Sequence, residues 1–194
     1  MSKIVFDTSM SLDGFMTASN QTAEDPLGVG GLRLFAWFLE SDDERDREVQ
    51  EKAAAGIGAF ITGRRTYDDS LPWWGADGPG GAARSPVFVV THEAPVKSPD
   101  NGVYTFVTDG IESAVEQAKA AADGMTIGSG GASIGRQLIQ AGLLDELRIH
   151  VVPVLFGAGT SMFAGLEDRH IELEPIEVIH TSGAIHMRFE VVRN

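Results

Sequence analysis

A chain of 194 residues with 43% hydrophobic and 22% charged residues is globular and long enough to bury a sizeable core in one domain. Its formal net charge of −13 argues against nucleic acid, whose binding rests on Lys and Arg neutralising phosphates, and no apolar run approaches the ~20 residues of a membrane span. The absence of cysteine excludes disulfides, thiolate metal sites and a cysteine nucleophile, and the five histidines form no close ligand pair, so no metal is expected.

The opening MSKIVFD goes straight into a strand pattern without a signal-peptide core, the start expected of a cytoplasmic protein. Residues 4–9 (IVFDTS) read as a strand with Ile4, Phe6 and Thr8 on one face. Residues 11–31 form a long Gly-, Ser-, Asn- and Asp-rich irregular segment, and loops of that length in compact domains are usually functional or disordered. A short helix is predicted over 32–39 and a polar-faced helix with carboxylates at its start over 42–55. The run at 59–62 (AFIT) is a strand ending at GRRTYDDS, and PVFVVT at 86–91 is a strand apolar enough to be covered on both faces. A strand at 103–107 leads to a helix over 111–122, capped by Asp109 with Glu112 three residues on.

A strand over 125–128, a helix over 132–141 and a strand over 146–154 follow. The chain closes on alternating strands at 171–180 and 184–192 joined by Thr181-Ser182-Gly183, where His180 and His186 are expected at the surface or in cross-strand packing. These elements predict a single α/β domain over residues 1–194. Its architecture is three-layered, a mixed central sheet flanked by helices and ending in an antiparallel hairpin.

Two stretches point to phosphate. Gly128-x-Gly130 begins the dinucleotide fingerprint, but Ser133 stands where the third glycine belongs. Gly130 and Gly135 are spaced as in a P-loop, but Arg136-Gln137 replaces its Lys-Ser/Thr pair. Placed between strand and helix, with Ile134, Leu138 and Ile139 facing inward, Gly130-Gly131 is a turn that aims the amides of Gly131, Ala132 and Ser133 outward ahead of the helix dipole. A close helix–strand crossing would also need these glycines. Thr62-Gly63-Arg64-Arg65-Thr66-Tyr67 sets two guanidiniums and a hydroxyl at a second helix start, suited to a phosphate or to pairing with Asp68 and Asp69. Two anion sites held apart at two strand ends favour NADPH over NADH.

Six segments then fall in the order of one family: Ser11-Leu12-Asp13-Gly14-Phe15, Gly63-Arg64-Arg65-Thr66-Tyr67, Val89-Val90-Thr91-His92, Gly130-Gly131-Ala132, residues 142–147 (GLLDEL) and residues 153–159 (PVLFGAG). The chain resembles the dihydrofolate reductase-like superfamily, and most of all the reductase domain of riboflavin biosynthesis, the C-terminal domain of the bifunctional deaminase-reductase. The resemblance implies an NADPH-dependent reductase acting on a small heterocycle of the 5-amino-6-(5-phosphoribosylamino)uracil type. It implies that Gly63, Arg64, Arg65 and Thr66 hold the adenosine 2′-phosphate and its neighbour, and that Thr91 and His92 lie along the adenine ribose. Gly128, Gly130, Gly131, Ala132, Ser133 and Ile134 would cradle the pyrophosphate, and Asp13 and Gly14 sit in the loop covering the nicotinamide.

On the substrate side, Phe35-Ala36-Trp37-Phe38 resembles the substrate-facing helix of dihydrofolate reductases, but Leu34 occupies the position of their pterin-binding acid, which disfavours folate reduction. No deaminase zinc motif is present. Asp13 is the candidate for orienting substrate or relaying a proton, its pKa raised in a semi-closed loop, or else a plain turn residue. Trp37 and Phe38 would stack on a flat heterocycle or fill the core, and Trp73-Trp74 would rim the pocket, plug the packing or form an interface patch. A non-catalytic NADPH-binding module is the rival reading. The resemblance allows a homodimer through the C-terminal strands.

Overall fold

The computed structural model describes residues 2–166 and 170–193. Ten strands and five α-helices alternate along it: β1 (Ile4–Ser11), β2 (Phe15–Ala18), α1 (Ala36–Leu39), α2 (Glu44–Ala54), β3 (Ile57–Gly63), α3 (Arg64–Trp74), β4 (Val87–Val90) and β5 (Tyr104–Val107). Then come α4 (Ile111–Ala122), β6 (Thr126–Gly130), α5 (Ala132–Gln140), β7 (Glu146–Val152), β8 (Gly159–Ser161), β9 (Leu173–His180) and β10 (Ile185–Val191). Eight strands form a mixed sheet in the order β5-β4-β3-β6-β1-β7-β10-β9, and β2 pairs with β8 in a small antiparallel sheet. β2 lies in the segment expected to be irregular, and β8 in a stretch that the sequence assigned to no element. Neither carries an alternating pattern of its own, and each is a strand only because the other pairs with it.

The chain groups into two compact units, the first made of residues 1–6 and 56–144, the second of residues 7–55 and 145–194. In the first, every strand pairing is parallel. Crossover helices bury such strands on both faces, and Ile4, Val5 and Phe6 of β1 are accordingly all buried. The strand read over 4–9 is present, with Ile4, Phe6 and Thr8 sharing one face, and Val5 is buried on the other. The glycines of β6 and α5 are shaped by aromatic rings: a Cβ on Gly128 would lie 2.8 Å from the Phe60 ring, and one on Gly135 would lie 2.7 Å from that of Phe6. Gly135→Ala gains about 0.5–1 kcal/mol of helix propensity but overpacks a buried ring at roughly 1–3 kcal/mol. The net expectation is a loss of about 1 kcal/mol, read from the urea midpoint. α4 spans the predicted residues, but its N-cap is Gly110 at φ 97° and no side chain caps it, so Asp109 does not have the capping role read from sequence.

In the second unit β7, β10 and β9 form an antiparallel meander. The polar α2 is capped by Asp43, whose carboxylate accepts from the Arg45 backbone N–H at 3.0 Å. Arg45 and this N–H hold the Asp43 carboxyl down at about 2. The apolar centre of this unit is Leu34, Trp37, Val152 and Ala184. Among the described residues, no helix is long and apolar enough to cross a membrane.

Candidate cofactor and substrate sites

The first unit places three strand ends level with one another. Thr62 pairs with Gly130 and Gly63 with Val90, so β4, β3 and β6 finish side by side with their carboxyl ends pointing the same way. α3 starts at Arg64 and α5 at Ala132, immediately beyond two of those ends. From β3 the chain goes to β4 on one side, whereas β6 is followed by a connection toward the strands beyond β1. The two connections diverge between β3 and β6, and in open parallel sheets the crevice outside such a switch point is where ligands bind.

The two glycine turns are therefore not held apart, as two separate anion sites would be; they touch. A Cβ on Gly131 would lie 2.5 Å from Thr66 Oγ1, one on Gly63 would lie 3.4 Å from Ile134 Cγ1, and Thr62 Oγ1 donates to the Gly130 carbonyl at 3.4 Å. Gly131 also sits at φ 93°, so it answers both a backbone and a packing requirement. The close-crossing reading thus holds for these glycines, and the amide reading coexists with it. The first-turn N–H groups of Ala132 and Ser133 have no acceptor within α5, and Ser133 is exposed.

Arg64 lies alongside, its Nε donating to both Asp68 carboxylate oxygens at 2.8 and 2.9 Å and its Nη1 to the Glu93 carbonyl at 3.2 Å. Arg65 stands 3.6 Å from Asp69. These are exposed i,i+4 pairs, worth only about 0.3–0.5 kcal/mol, so a bound phosphate would displace them at little cost. Thr91 Oγ1 donates to the Glu93 carbonyl at 2.7 Å, and His92 is exposed in the same loop. Every residue expected on the cofactor side, Gly14 apart, falls in this unit. Of the two adjacent tryptophans, Trp74 packs edge-on against Phe60 with centroids 6.0 Å apart, and Trp73 is exposed.

The second unit carries Asp13, Gly14, Trp37 and Phe38. Asp13 is a clasp: its carboxylate accepts from the Ser11 hydroxyl and from the backbone N–H groups of Phe156 and Gly157, at 3.1 and 2.7 Å. It thereby ties the turn after β1 to the loop after β7. The Ser11 hydrogen bond, foremost, and these N–H groups hold its pKa below the ordinary carboxylate value, opposite to the raised pKa expected from sequence. Gly14, at φ 86°, accepts from the Met162 N–H at 3.0 Å, and its own Cβ direction meets the Phe163 ring.

Trp37 is only 4% exposed. Its Nε1–H donates to Ser9 Oγ at 2.9 Å, and its ring lies 4.4 Å from the His150 ring and 4.7 Å from that of His186, centroid to centroid. It fills the core, with no open face for a heterocycle, whereas Phe38 is half exposed. Leu34 is fully buried, so the position of the pterin-binding acid belongs to the core here.

Sequence reading missed one polar cluster. His150 Nε2 meets Asp7 Oδ1, the Nδ1 atoms of His150 and His186 meet each other, and His186 Nε2 meets Asp46 Oδ1, each at 2.8 Å. Asp46 also accepts from Ser41 Oγ. In sheet register His186 pairs with His150, and its neighbour on β9 is Ile179, so the His180–His186 pairing considered from sequence does not form. The segments RIH on β7 and HMR on β10 carried the signal, but only their register sets the two histidines opposite each other. Beside them lies a cavity of about 120 Å³ lined by Asp7, Lys52, Arg148, Glu177 and Arg188 among others. Arg188 and Arg148 both bind Glu146 Oε1, at 2.9 and 2.7 Å, and outweigh the burial that would raise its pKa, leaving it lowered.

The model of the RibD C-terminal domain family matches residues 2–187. No curated protein sequence matches the chain. Among solved structures it is similar to a putative riboflavin biosynthesis protein from Shewanella sp. PV-4, with 18% identity over 100% of both chains and a TM-score of 0.75. It is also similar to the diaminohydroxyphosphoribosylaminopyrimidine deaminase/5-amino-6-(5-phosphoribosylamino)uracil reductase of Thermotoga maritima, with 13% identity, a TM-score of 0.67, and coverage of 98% of this chain and 57% of that one. The riboflavin biosynthesis reductase Rib7 of Saccharomyces cerevisiae shares 12% identity at a TM-score of 0.64, over 98% of this chain and 90% of its own. At these identities the structural likeness establishes the fold.

Proposed function

Because the chain belongs to the RibD C-terminal domain family, we propose that it is an NADPH-dependent reductase delivering hydride to a small heterocycle of the 5-amino-6-(5-phosphoribosylamino)uracil type. The observation that supports this reading best is the meeting of two helix N-termini, with Gly63, Arg64, Gly130 and Gly131, at the switch point between β3 and β6.

The donor set fits a phosphorylated dinucleotide. Ala132 and Ser133 offer amides to the pyrophosphate, and Arg64 and Arg65 offer guanidiniums to the 2′-phosphate. Thr66 both packs against Gly131 and offers its hydroxyl, and Thr91 and His92 border the same strand ends. Bound there, the cofactor supplies the hydride. The chain supplies position, and in the second unit Asp13 holds the turn of Gly14 to the loop of Phe156 and Gly157. With its carboxylate so engaged, Asp13 acts as a positioning residue.

Asp13→Asn is expected to lower turnover roughly tenfold to a hundredfold while leaving NADPH affinity nearly intact, since misplacing a loop costs rate before it costs cofactor binding. Because its pKa is lowered, the Asp13 contacts persist above the ordinary carboxylate value of 3.8 and are lost only as pH falls through the lower folded value. The wild-type pH–rate profile should therefore show no Asp13 inflection near neutrality; one that disappears in Asp13→Asn would make it the proton donor instead.

Titration with NADPH and NADH, followed by turnover assays on pyrimidine intermediates, pterins and simple carbonyls, tests the function itself. Tight NADPH binding without oxidation on any of them would favour the non-catalytic module. The half-buried to exposed Ile176, Val178 and Ile185 on β9 and β10 support a homodimer through these strands, which a sedimentation mass of one chain would contradict.

A further inference from the structure

The Asp7–His150–His186–Asp46 chain lies within the second unit and takes no part in the proposed reaction. With both aspartates ionised, its three hydrogen bonds need three N–H protons, and two neutral imidazoles bring two. The intact chain therefore holds one proton beyond a neutral pair, and one Nδ1 donates to the other. A further proton would set N–H against N–H across 2.8 Å, which cannot persist. Without the third proton, one Nε2 lone pair would face a carboxylate.

The groups that face this chain come from every element around it. α2 contributes Asp46 and Lys52, with Asp43 at its cap, and β1 contributes Asp7. Glu146 and Arg148 come from β7, Glu177 from β9 and Arg188 from β10. Arg148 stands 4.0 Å from the second Asp7 oxygen, which has no hydrogen-bond partner, and Lys52 stands 4.0 Å from Glu177. The side chains of His150 and His186 are 5% and 3% exposed, and Trp37 packs on both rings, so the bond between the two rings lies in a low-dielectric setting where breaking it is costly.

We propose that Asp7, His150, His186 and Asp46 form a proton-gated clamp, which fastens α2 and Trp37 to β7 and β10 while the histidines share one Nδ1 proton and releases them when a second proton enters. Burial favours the neutral His186 ring, against the opposing pull of Asp46, in keeping with release on the acid side. Linkage acts on both sides: the shared proton, held in the fold, gives stability that is lost as pH rises, whereas the second proton, opposed by the burial of His186, makes stability fall as pH drops below the unfolded value of 6.5.

Nitrogen-15 NMR of the histidine-labelled wild-type protein at neutral pH should show three of the four ring nitrogens of this pair protonated. Two protonated nitrogens, the count for two neutral rings, would overturn the shared proton. Amide exchange then reads the release. Protection factors in α2 should fall about tenfold per pH unit once a single proton accompanies opening, while those of α4 in the other unit hold. His186→Gln should flatten the α2 dependence. If that variant does not fold, the wild-type comparison of α2 with α4 still decides, because equal changes in both helices would refute the clamp.

Discussion

Asp46→Ala is expected to destabilise the protein by roughly 3–5 kcal/mol, the range for removing one partner of a buried, hydrogen-bonded charge pair. Asp46 is fully buried and accepts from Ser41 and, at 2.8 Å, from His186 Nε2. Without it, a buried imidazole N–H and a hydroxyl lose their acceptor, and the energy at stake is the cost of those stranded groups rather than of the bond alone. Urea unfolding at neutral pH measures it, and a loss below about 1 kcal/mol would show that water reaches the site. The double variant Asp46→Ala/His186→Leu should recover only part of the loss, because it removes the stranded Nε2–H but leaves the buried His150 Nδ1 without its partner. A double variant as unstable as the single one would place the loss in α2 packing instead.

Arg64→Ala is expected to weaken NADPH about tenfold to a hundredfold and NADH by no more than about twofold, since a charge-assisted guanidinium–phosphate contact is worth roughly 1.5–3 kcal/mol. The Arg64 side chain lies at the surface and is aimed along α3 by Asp68 and the Glu93 carbonyl. Its present partners are exchangeable, and its place at the end of β3 beside the Gly131 turn is not. Equal losses for both nucleotides would take the 2′-phosphate away from Arg64. An intact preference in Arg64→Ala, lost in Arg65→Ala, would move it one residue along the helix.

Much of this arrangement was legible in the residues. The apolar run 87–90, the alanine-rich 111–122 and the alternating C-terminal strands each report their own structure, because burial on two faces, one face or a helical stripe leaves a local pattern. β2 and β8 were not legible, since four- and three-residue strands hold no period and exist through each other. Asp109 failed as a cap because Gly110, at a φ that favours glycine, turns the chain one residue later.

The candidate site divides in the same way. The sequence determined which residue types could meet phosphate, namely glycines at strand ends followed by arginines or by a helix start, because that chemistry is local to one turn. Only the tertiary structure decided that the two turns are one place. Parallel pairing of β3 with β6 sets Thr66 against Gly131, a contact between residues far apart in the chain. It likewise decided that Trp37 is core, that the Asp13 carboxylate is already satisfied, and that His150 and His186 meet Nδ1 to Nδ1. Each of those outcomes depends on register and burial, which belong to the assembled sheet and leave no trace in any single segment.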